Sequence, residues 1–407
     1  MHMEDRPLVT RVVLENYKSI AFCDVRLGPL SILVGPNGAG KSNFLNALHF
    51  LSEAVQGNVA TVVRSRGGFD ALLKRGSANH VGMRVEFTTS AGAHGYYSIR
   101  LERNLDEDFA IQAERCVLNG PRTAWYKATR GKLESSLEIP EGLIRDGLYL
   151  PVMSGYSEFK PAYDWLSKFQ FYNPNPREFL LPSGDEDRSP LLKSNGENLA
   201  NVLNRLSRVD RTRQVSAHPM RPERVTQYLQ VINPEITRVV TQPLGGHTYL
   251  QFYSKNSPDS PFPPSQMSYG TLRSLAVLVA LFQRVGGVPE ISLVGLEEPE
   301  SALHPAAAGV LFDAMREASA SVQVVATTHS ADLLDKKDID TDAILAVELR
   351  DGGTQIGPVD QTGRESLKER LYTAGELMRM NYLRPESHLS PSEVDIESVL
   401  SGDMVPA

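Results

Sequence analysis

Cysteine is scarce. Only Cys23 and Cys116 occur in 407 residues, too few and too far apart for a metal-ligand set or a disulfide framework, which fits a reducing cytoplasm. Long apolar runs are missing as well. The longest, Leu275 to Phe282, has eight residues, against the ~20 that a membrane-spanning helix needs. The opening Met-His-Met-Glu-Asp-Arg has no apolar signal segment. Together these absences predict a soluble cytoplasmic protein without membrane contact. Basic charge is not in excess: 42 Lys and Arg stand against 49 Asp and Glu, for a net charge of −7. That excludes a chain coated in nucleic-acid-binding surface and leaves only local patches for such contact. No heptad pattern lasts three heptads, so a coiled-coil arm is excluded. What remains is ordinary globular composition, 41% hydrophobic and 22% charged, over a length that allows two or three domains or one domain with an insertion.

The strongest positive signal is Ser31-Ile-Leu-Val-Gly-Pro-Asn-Gly-Ala-Gly-Lys-Ser42. An apolar strand enters a glycine-rich turn and a helix-forming stretch leaves it, which is the context that the pattern G-x-x-x-x-G-K-[ST] requires. Backbone N–H groups of Gly35, Asn37, Gly38, Ala39, Gly40 and Asn43 would surround a polyphosphate at the positive end of the helix, with Pro36, which has no N–H, shaping the turn. Lys41 would reach the terminal phosphates, and the Ser42 hydroxyl would ligate Mg²⁺. ATP and Mg²⁺ are therefore the expected cofactors.

Three further constellations carry chemistry. Leu293-Val-Gly-Leu-Glu-Glu-Pro-Glu300 is an apolar strand ending in paired acids. Position assigns Glu297 to the metal and Glu298 to the general base; the plainer alternative is a solvated acidic turn. His329, in Thr327-Thr-His-Ser at the end of another buried strand, can sense the γ-phosphate and hold the attacking water, or simply cap the strand. Ser268-Tyr-Gly270-Thr-Leu-Arg273 opens an apolar helix, where Ser268 and Gly270 make either a second anion site or an ordinary N-cap. One chain has no use for two such sites on one γ-phosphate, whereas two chains placed head to tail do.

These four elements, in this order, resemble the ABC-type ATPases of the SMC, RecF and OLD-like branch. Asn16-Tyr-Lys-Ser19 is similar to an N-terminal element of that branch, which implies that Lys18 approaches the nucleotide. Glu297-Glu-Pro-Glu-Ser-Ala-Leu-His-Pro305 is similar to the OLD-like subgroup. Asn195-Gly-Glu-Asn-Leu-Ala-Asn-Val-Leu203 and Tyr372-Thr-Ala-Gly-Glu-Leu377 resemble short bacterial ATPases. The signature Ser-Tyr-Gly-Thr departs from the transporter form Leu-Ser-Gly-Gly-Gln, a transporter motor being the third and least supported reading. Glu297 replaces a more usual aspartate, and Gln170 is the candidate for a glutamine loop. Nothing after Ser330 reads as a Toprim nuclease.

The resemblance implies an α/β fold, a P-loop NTPase with an ABC-ATPase-like head and a β-rich and helical insertion between phosphate loop and signature. It divides as 1–80 (first half of the ATPase domain), 81–190 (β-rich and irregular insertion), 191–255 (helical lobe), 256–380 (second half) and 381–407 (acidic mobile tail). The implied activity is ATP hydrolysis by a head-to-tail homodimer linked to DNA repair or defence. A rival reading is an ATP-gated regulatory subunit for a separately encoded effector protein. DNA contact would fall to Arg205, Arg208, Arg211 and Arg213, or to Arg64, Arg66, Lys74 and Arg75.

Overall fold

The computed structural model describes residues 8–76, 79–89, 92–104, 106–120, 122–139, 147–184, 186–187, 189–212, 222–283, 291–350, 352–386 and 399–400, with backbone alone at 208–212 and 222. Strands β1 (Leu8–Tyr17), β2 (Ile20–Arg26) and β3 (Leu30–Val34) lead to helices α1 (Lys41–Gln56) and α2 (Val59–Ser65). Strands β4 (His80–Thr88), β5 (His94–Asn104), β6 (Asp108–Asn119), β7 (Ala124–Thr129) and β8 (Lys132–Ser135) precede short helices α3 (Leu150–Met153) and α4 (Lys160–Leu166). Next come β9 (Phe169–Tyr172), β10 (Ser183–Gly184), α5 (Leu199–Thr212), α6 (Pro222–Ile232), β11 (Ile236–Leu244), β12 (His247–Ser254) and β13 (Ser257–Phe262). The remainder is α7 (Tyr269–Phe282), β14 (Leu293–Glu297), α8 (Pro305–Ser319), β15 (Gln323–Thr328), β16 (Ile344–Arg350), β17 (Gly353–Pro358), α9 (Gln361–Lys368) and α10 (Ala374–Arg379).

The chain forms two compact units, one from 1–169, 340–371 and 380–407, the other from 170–339 and 372–379. In the first, β2-β1-β4-β5-β6-β7-β8 make a seven-stranded antiparallel sheet. Its register sets one apolar row across the inner face: Val25, Val12, Val85, Tyr97, Cys116 and Tyr126, all buried. The neighbouring row brings Glu114 onto that same face. Its buried carboxylate accepts bonds from the hydroxyls of Tyr97 (2.9 Å) and Tyr126 (2.8 Å) and from the N–H groups of Tyr149 (2.6 Å) and Leu150 (2.9 Å). Burial pushes this carboxyl up, and the four donors hold it back. The same unit contains β3, which pairs in parallel with β16 through Ile32↔Ile344 and Val34↔Ala346, with β17 antiparallel beyond. The strand entering the phosphate loop is thus flanked by residues more than three hundred positions away.

In the second unit β14 and β15 pair in parallel, Leu293 with Gln323 through Glu297 with Thr327. Both are buried, as parallel strands usually are. Helix α7 is buried from Gly270 to Phe282. Among the described residues no helix is long and apolar enough to cross a membrane.

Several elements differ from the sequence expectation. Residues 129–190, read as irregular, hold β8 to β10, α3 and α4. Pro151 and Pro161 lie in the first turns of α3 and α4, where a missing N–H costs nothing. Asn256–Pro264, read as a loop, contains β13, which among the described residues pairs only with β12 and so tolerates Pro258 and Pro261 at an edge. The helix expected from Leu191 starts at Leu199 instead. Asn198 closes a turn before it, accepting from the Lys193 N–H and donating to the Leu191 carbonyl (both 2.9 Å). The stretch expected to be a mobile acidic tail is pinned where it is described: Glu386 pairs with Arg364 at 2.8 Å, and Val399 and Leu400 are buried. Residues 387–398 and 401–407 lie outside the described residues.

Candidate functional site

The candidate residues fall in two sets, one in each unit. In the first unit, the wholly buried β3 delivers Gly35 to Gly40, and α1 begins at Lys41 with no acid in its first turn. Its leading N–H groups therefore keep their positive end uncompensated by any first-turn carboxylate. Gly40 adopts φ 103°, and a Cβ there would come within 2.1 Å of Thr354 Oγ1; only glycine fits. Lys41 is buried and folds back over the loop, Nζ donating to the Gly35 carbonyl at 2.8 Å and the Pro36 carbonyl at 2.9 Å. Pro36, Asn37, Gly38 and Ser42 are exposed, while Ala39 is buried.

A directed chain of hydrogen bonds supports this loop. Asn43 Nδ2 donates to Ser19 Oγ at 2.7 Å. Ser19 Oγ lies 2.7 Å from Thr354 Oγ1, which donates to the Ala39 carbonyl at 2.8 Å. Because the Thr354 proton is committed to Ala39, Ser19 must be the donor to Thr354. The element Asn16 to Ser19 thus joins the loop through Ser19, while Lys18 takes a left-handed φ of 52° with its ammonium 5.8 Å from the Tyr17 ring centroid. Thr354→Val keeps the shape and removes the donor to a buried carbonyl. We expect it to cost about 1–2 kcal/mol, read from urea unfolding of the nucleotide-free protein.

In the second unit β14 ends at Glu297, whose Oε2 accepts from Asn173 Nδ2 at 2.9 Å. Glu298 then turns into the left-handed region (φ 41°), its N–H held by the Thr327 carbonyl at 3.1 Å. This aims Oε1 at His329 Nδ1, 3.0 Å away, and both side chains are part-exposed. Ser301 Oγ donates to Oε2 of Glu298 at 3.3 Å. Behind the pair, Arg273 is buried in α7. Its guanidinium donates to the carbonyls of Pro174, Glu297 (2.9 Å) and Glu298 (3.2 Å) and to Asn173 Oδ1 (3.0 Å). Burial pulls the pKa of Arg273 down, and the carboxylates of Glu300, Glu298 and Glu297 oppose this. Glu300 is buried too, accepting from Thr328 Oγ1 at 2.5 Å; burial raises its pKa.

Ser268 caps α7: its Oγ accepts from the Thr271 N–H at 3.2 Å, so the N-cap geometry is present, and Ser268 and Tyr269 face outward. Gly270 is needed for close approach, since a Cβ would lie 2.3 Å from the Ala302 carbonyl oxygen. The motif Tyr372 to Leu377 also finds a place. Thr373 Oγ1 donates to Asp335 at 3.0 Å, and Arg379 donates to Asp335 and to Asp332 (2.6 Å), which pins the turn following His329.

Sequence reasoning missed Asn173, Thr354 and the part played by Arg273. The polar residue of its segment that reaches Glu297 is Asn173; Gln170, three positions earlier, lies in β9. Arg273 left a signal, a lone cation inside an otherwise apolar helix. The arginine patch is described only in part. Arg205 is partly buried, with desolvation lowering its pKa and Asp187 opposing. Arg213 and Arg221, and the side chains of Arg208 and Arg211, lie outside the described residues. Arg224 is engaged with Glu317 through both its Nε (2.6 Å) and Nη2, and Arg66 pairs with Glu53 at 2.5 Å.

Among the described residues no group of three or more His, Cys, Asp or Glu is arranged to hold a metal ion by itself. A divalent ion held mainly by substrate phosphates, with one or two protein ligands, fits such a surface. The exposed hydroxyl of Ser42 in the first unit and, separately, the carboxylate of Glu297 in the second are each groups of the hard-oxygen type.

Residues 30–116 and 155–335, more than half of the chain, match the family described as "AAA domain, putative AbiEii toxin, Type IV TA system". A stretch of 46 residues is 50% identical to the DNA replication and repair protein RecF of Porphyromonas gingivalis, covering 11% of this chain and 13% of RecF. Over 336 residues the chain is 22% identical to the OLD nuclease of Thermus scotoductus, covering 79% of this chain and 59% of that protein. The chain therefore spans less than two thirds of the length of either curated relative. Among solved structures, the Smc head domain with an extended coiled coil bound to the C-terminal domain of ScpA, from Pyrococcus furiosus, aligns with a TM-score of 0.50 at 14% identity, covering 90% of this chain and 99% of that one. A Smc head bound to the C-winged helix domain of ScpA gives 0.50 at 15% identity, covering 88% and 99%. These likenesses show the fold, a P-loop NTPase of the ABC kind. The chain belongs to this AAA family, and its likenesses to RecF, the OLD nuclease and Smc heads point to the SMC, RecF and OLD-like branch of the ABC-type ATPases.

Proposed function

We propose that this protein binds and hydrolyses ATP as a switch, closing into a head-to-tail dimer around nucleotide. The observation that carries the reading is the contact of Glu298 with His329, 3.0 Å apart on the second unit. A carboxylate that is part-exposed and oriented by a neighbouring imidazole is suited to take a proton from water. Lys41 would exchange its loop carbonyls for phosphate oxygens, and the N–H groups of Gly38 to Asn43 would hold the remaining charge. Ser42 and Glu297 would hold Mg²⁺, which supplies charge neutralisation on the transferring phosphoryl group. Glu298 accepts one proton of the attacking water as its oxygen bonds to the terminal phosphorus and the bond to ADP breaks. His329 keeps Glu298 aimed through Nδ1 and stands beside the γ-phosphate. Ser268 and Gly270 of a second copy would complete the site from the opposite side, and Lys18 would close it at the edge.

The test is complementation. Lys41→Ala removes the phosphate-binding charge, and Ser268→Arg blocks the signature. Each variant alone should be inactive. Mixed, the two form heterodimers with one intact composite site, so about a quarter of wild-type turnover should return, from random pairing with half of the sites competent in half of the dimers. A mixture that stays inactive, or either variant turning over alone, removes the head-to-tail assignment.

The family description, which names a toxin and a toxin–antitoxin system, favours a second reading: nucleotide occupancy gates a separate effector protein, with slow turnover. The names of RecF and the OLD nuclease favour action on DNA. Phosphate release with and without duplex DNA separates them. Stimulation of tenfold or more supports the DNA-linked switch, and slow, DNA-blind turnover supports the gate.

A further inference from the structure

The outer face of the seven-stranded sheet has one feature out of keeping with the rest. Its rows are polar: Asp24, Val13, Arg84, Ser98, Arg115 and Lys127 lie in register in one, and Phe22, Glu15, Gly82 and Arg100 in the next. A valine in such a row should be wet, yet Val13 is 0% exposed. Val399 and Leu400, at 5% and 7% exposure, cover it together with Phe22. Alternation along β1 accordingly fails from Val12 to Glu15, where both faces are buried.

The seat is shaped for this dipeptide. A Cβ on Gly82 would stand 2.5 Å from Leu400 Cδ1, so the missing side chain is the space that the leucine fills. Two residues on, and on the same face, Arg84 donates through Nη1 to the Val399 carbonyl at 3.1 Å. That guanidinium is itself fixed, with its carbon 3.7 Å from the Tyr96 centroid and Nη2 2.9 Å from Glu86. A pocket for an aliphatic side chain beside a fixed donor to a backbone carbonyl is a common arrangement for reading short peptides. In sequence the dipeptide is flanked by Glu393, Asp395, Glu397 and Asp403, while the outer face carries Arg11, Arg84, Arg100 and Arg115, with Asp24 and Glu86 paired to Arg11 and Arg84 and Glu15 paired to His80.

We propose that this face is a peptide-docking site for an acidic segment carrying adjacent Val and Leu, filled in cis by the chain's own Val399–Leu400. This site is independent of the nucleotide reading. A tethered segment competes with any free peptide at an effective concentration on the order of millimolar, so the site should look closed in the wild-type chain and open once Leu400 is changed.

The probe is a labelled synthetic peptide spanning residues 391–407, titrated into the full chain. Leu400→Asp in the chain should strengthen peptide binding at least tenfold over wild type. The same change in the peptide should weaken its binding to the Leu400→Asp chain at least tenfold, as should adding Arg84→Met to that chain. Binding should also weaken with salt. Equal affinity of the two chains for the wild-type peptide, or of the Leu400→Asp chain for the two peptides, overturns the proposal. Should Leu400→Asp prevent folding, the wild-type chain still decides. Millimolar wild-type peptide should raise hydrogen exchange at Val399 and Leu400, and the Asp-bearing peptide should not; equal exchange with both overturns the proposal.

Discussion

Glu298→Gln should stop turnover while leaving nucleotide binding intact. The substitution keeps the side-chain volume and the left-handed backbone at position 298, and an amide can still meet Ser301 Oγ, 3.3 Å from the native carboxylate. What it removes is the capacity to take a proton, an effect of about 10²–10⁴-fold on the rate. Because hydrolysis is what would reopen the dimer, the variant should accumulate as an ATP-bound dimer under conditions where wild type returns to monomer. Phosphate release and light scattering on the same sample read both consequences. A variant that hydrolyses within threefold of wild type would exclude Glu298 as the base. Loss of nucleotide binding instead would show that the residue is structural.

Arg273→Met should strongly destabilise the second unit. Methionine fills most of the space but donates nothing, leaving the carbonyls of Pro174, Glu297 and Glu298 and the Asn173 amide oxygen short of a donor in a buried setting. Leaving a buried acceptor unpaired costs about 1–3 kcal/mol, so losing several donors at once should cost at least about 3 kcal/mol, and here the network also holds the backbone that carries both glutamates. Stability to urea should fall by that amount, and kcat should fall in whatever protein remains folded. Arg273→Lys should rescue neither fully, since a single ammonium cannot reproduce bonds fanned out by a planar fork. A variant with wild-type stability and kcat would mean that the acids are positioned by β14 and β15 alone.

Much of the fold was legible because its signals are local. The phosphate loop needs a strand, two left-handed glycines and a helix within a dozen residues, and each part shows in the sequence. Buried parallel strands show as short apolar runs, which is how β14 to β16 appear. What stayed hidden depends on register and distance. Thr354 lies more than three hundred residues from Ala39, and nothing in Gly-Gly-Thr-Gln foretells that its hydroxyl meets a loop carbonyl. Asn173 follows a strand in a proline-rich stretch where periodicity is silent. The prolines themselves misled: in α3 and α4 they begin helices, and in β13 they occupy an edge. The acidic run after Arg384 read as solvated because charge counting cannot see that Val399 and Leu400 have a seat on a sheet formed by residues 8–135.

The pairing of β3 with β16 also bears on when the loop becomes competent during synthesis. Ala39 waits for Thr354, and Ile32 waits for Ile344. At ~5–20 residues per second, ribosomes take roughly 15–60 s to bridge that interval. Until then Gly35 to Ser42 lacks one flanking strand and the hydroxyl that fixes its backbone. A nascent chain should therefore present no formed phosphate site, and nucleotide capture should begin only after residues 344–358 have emerged.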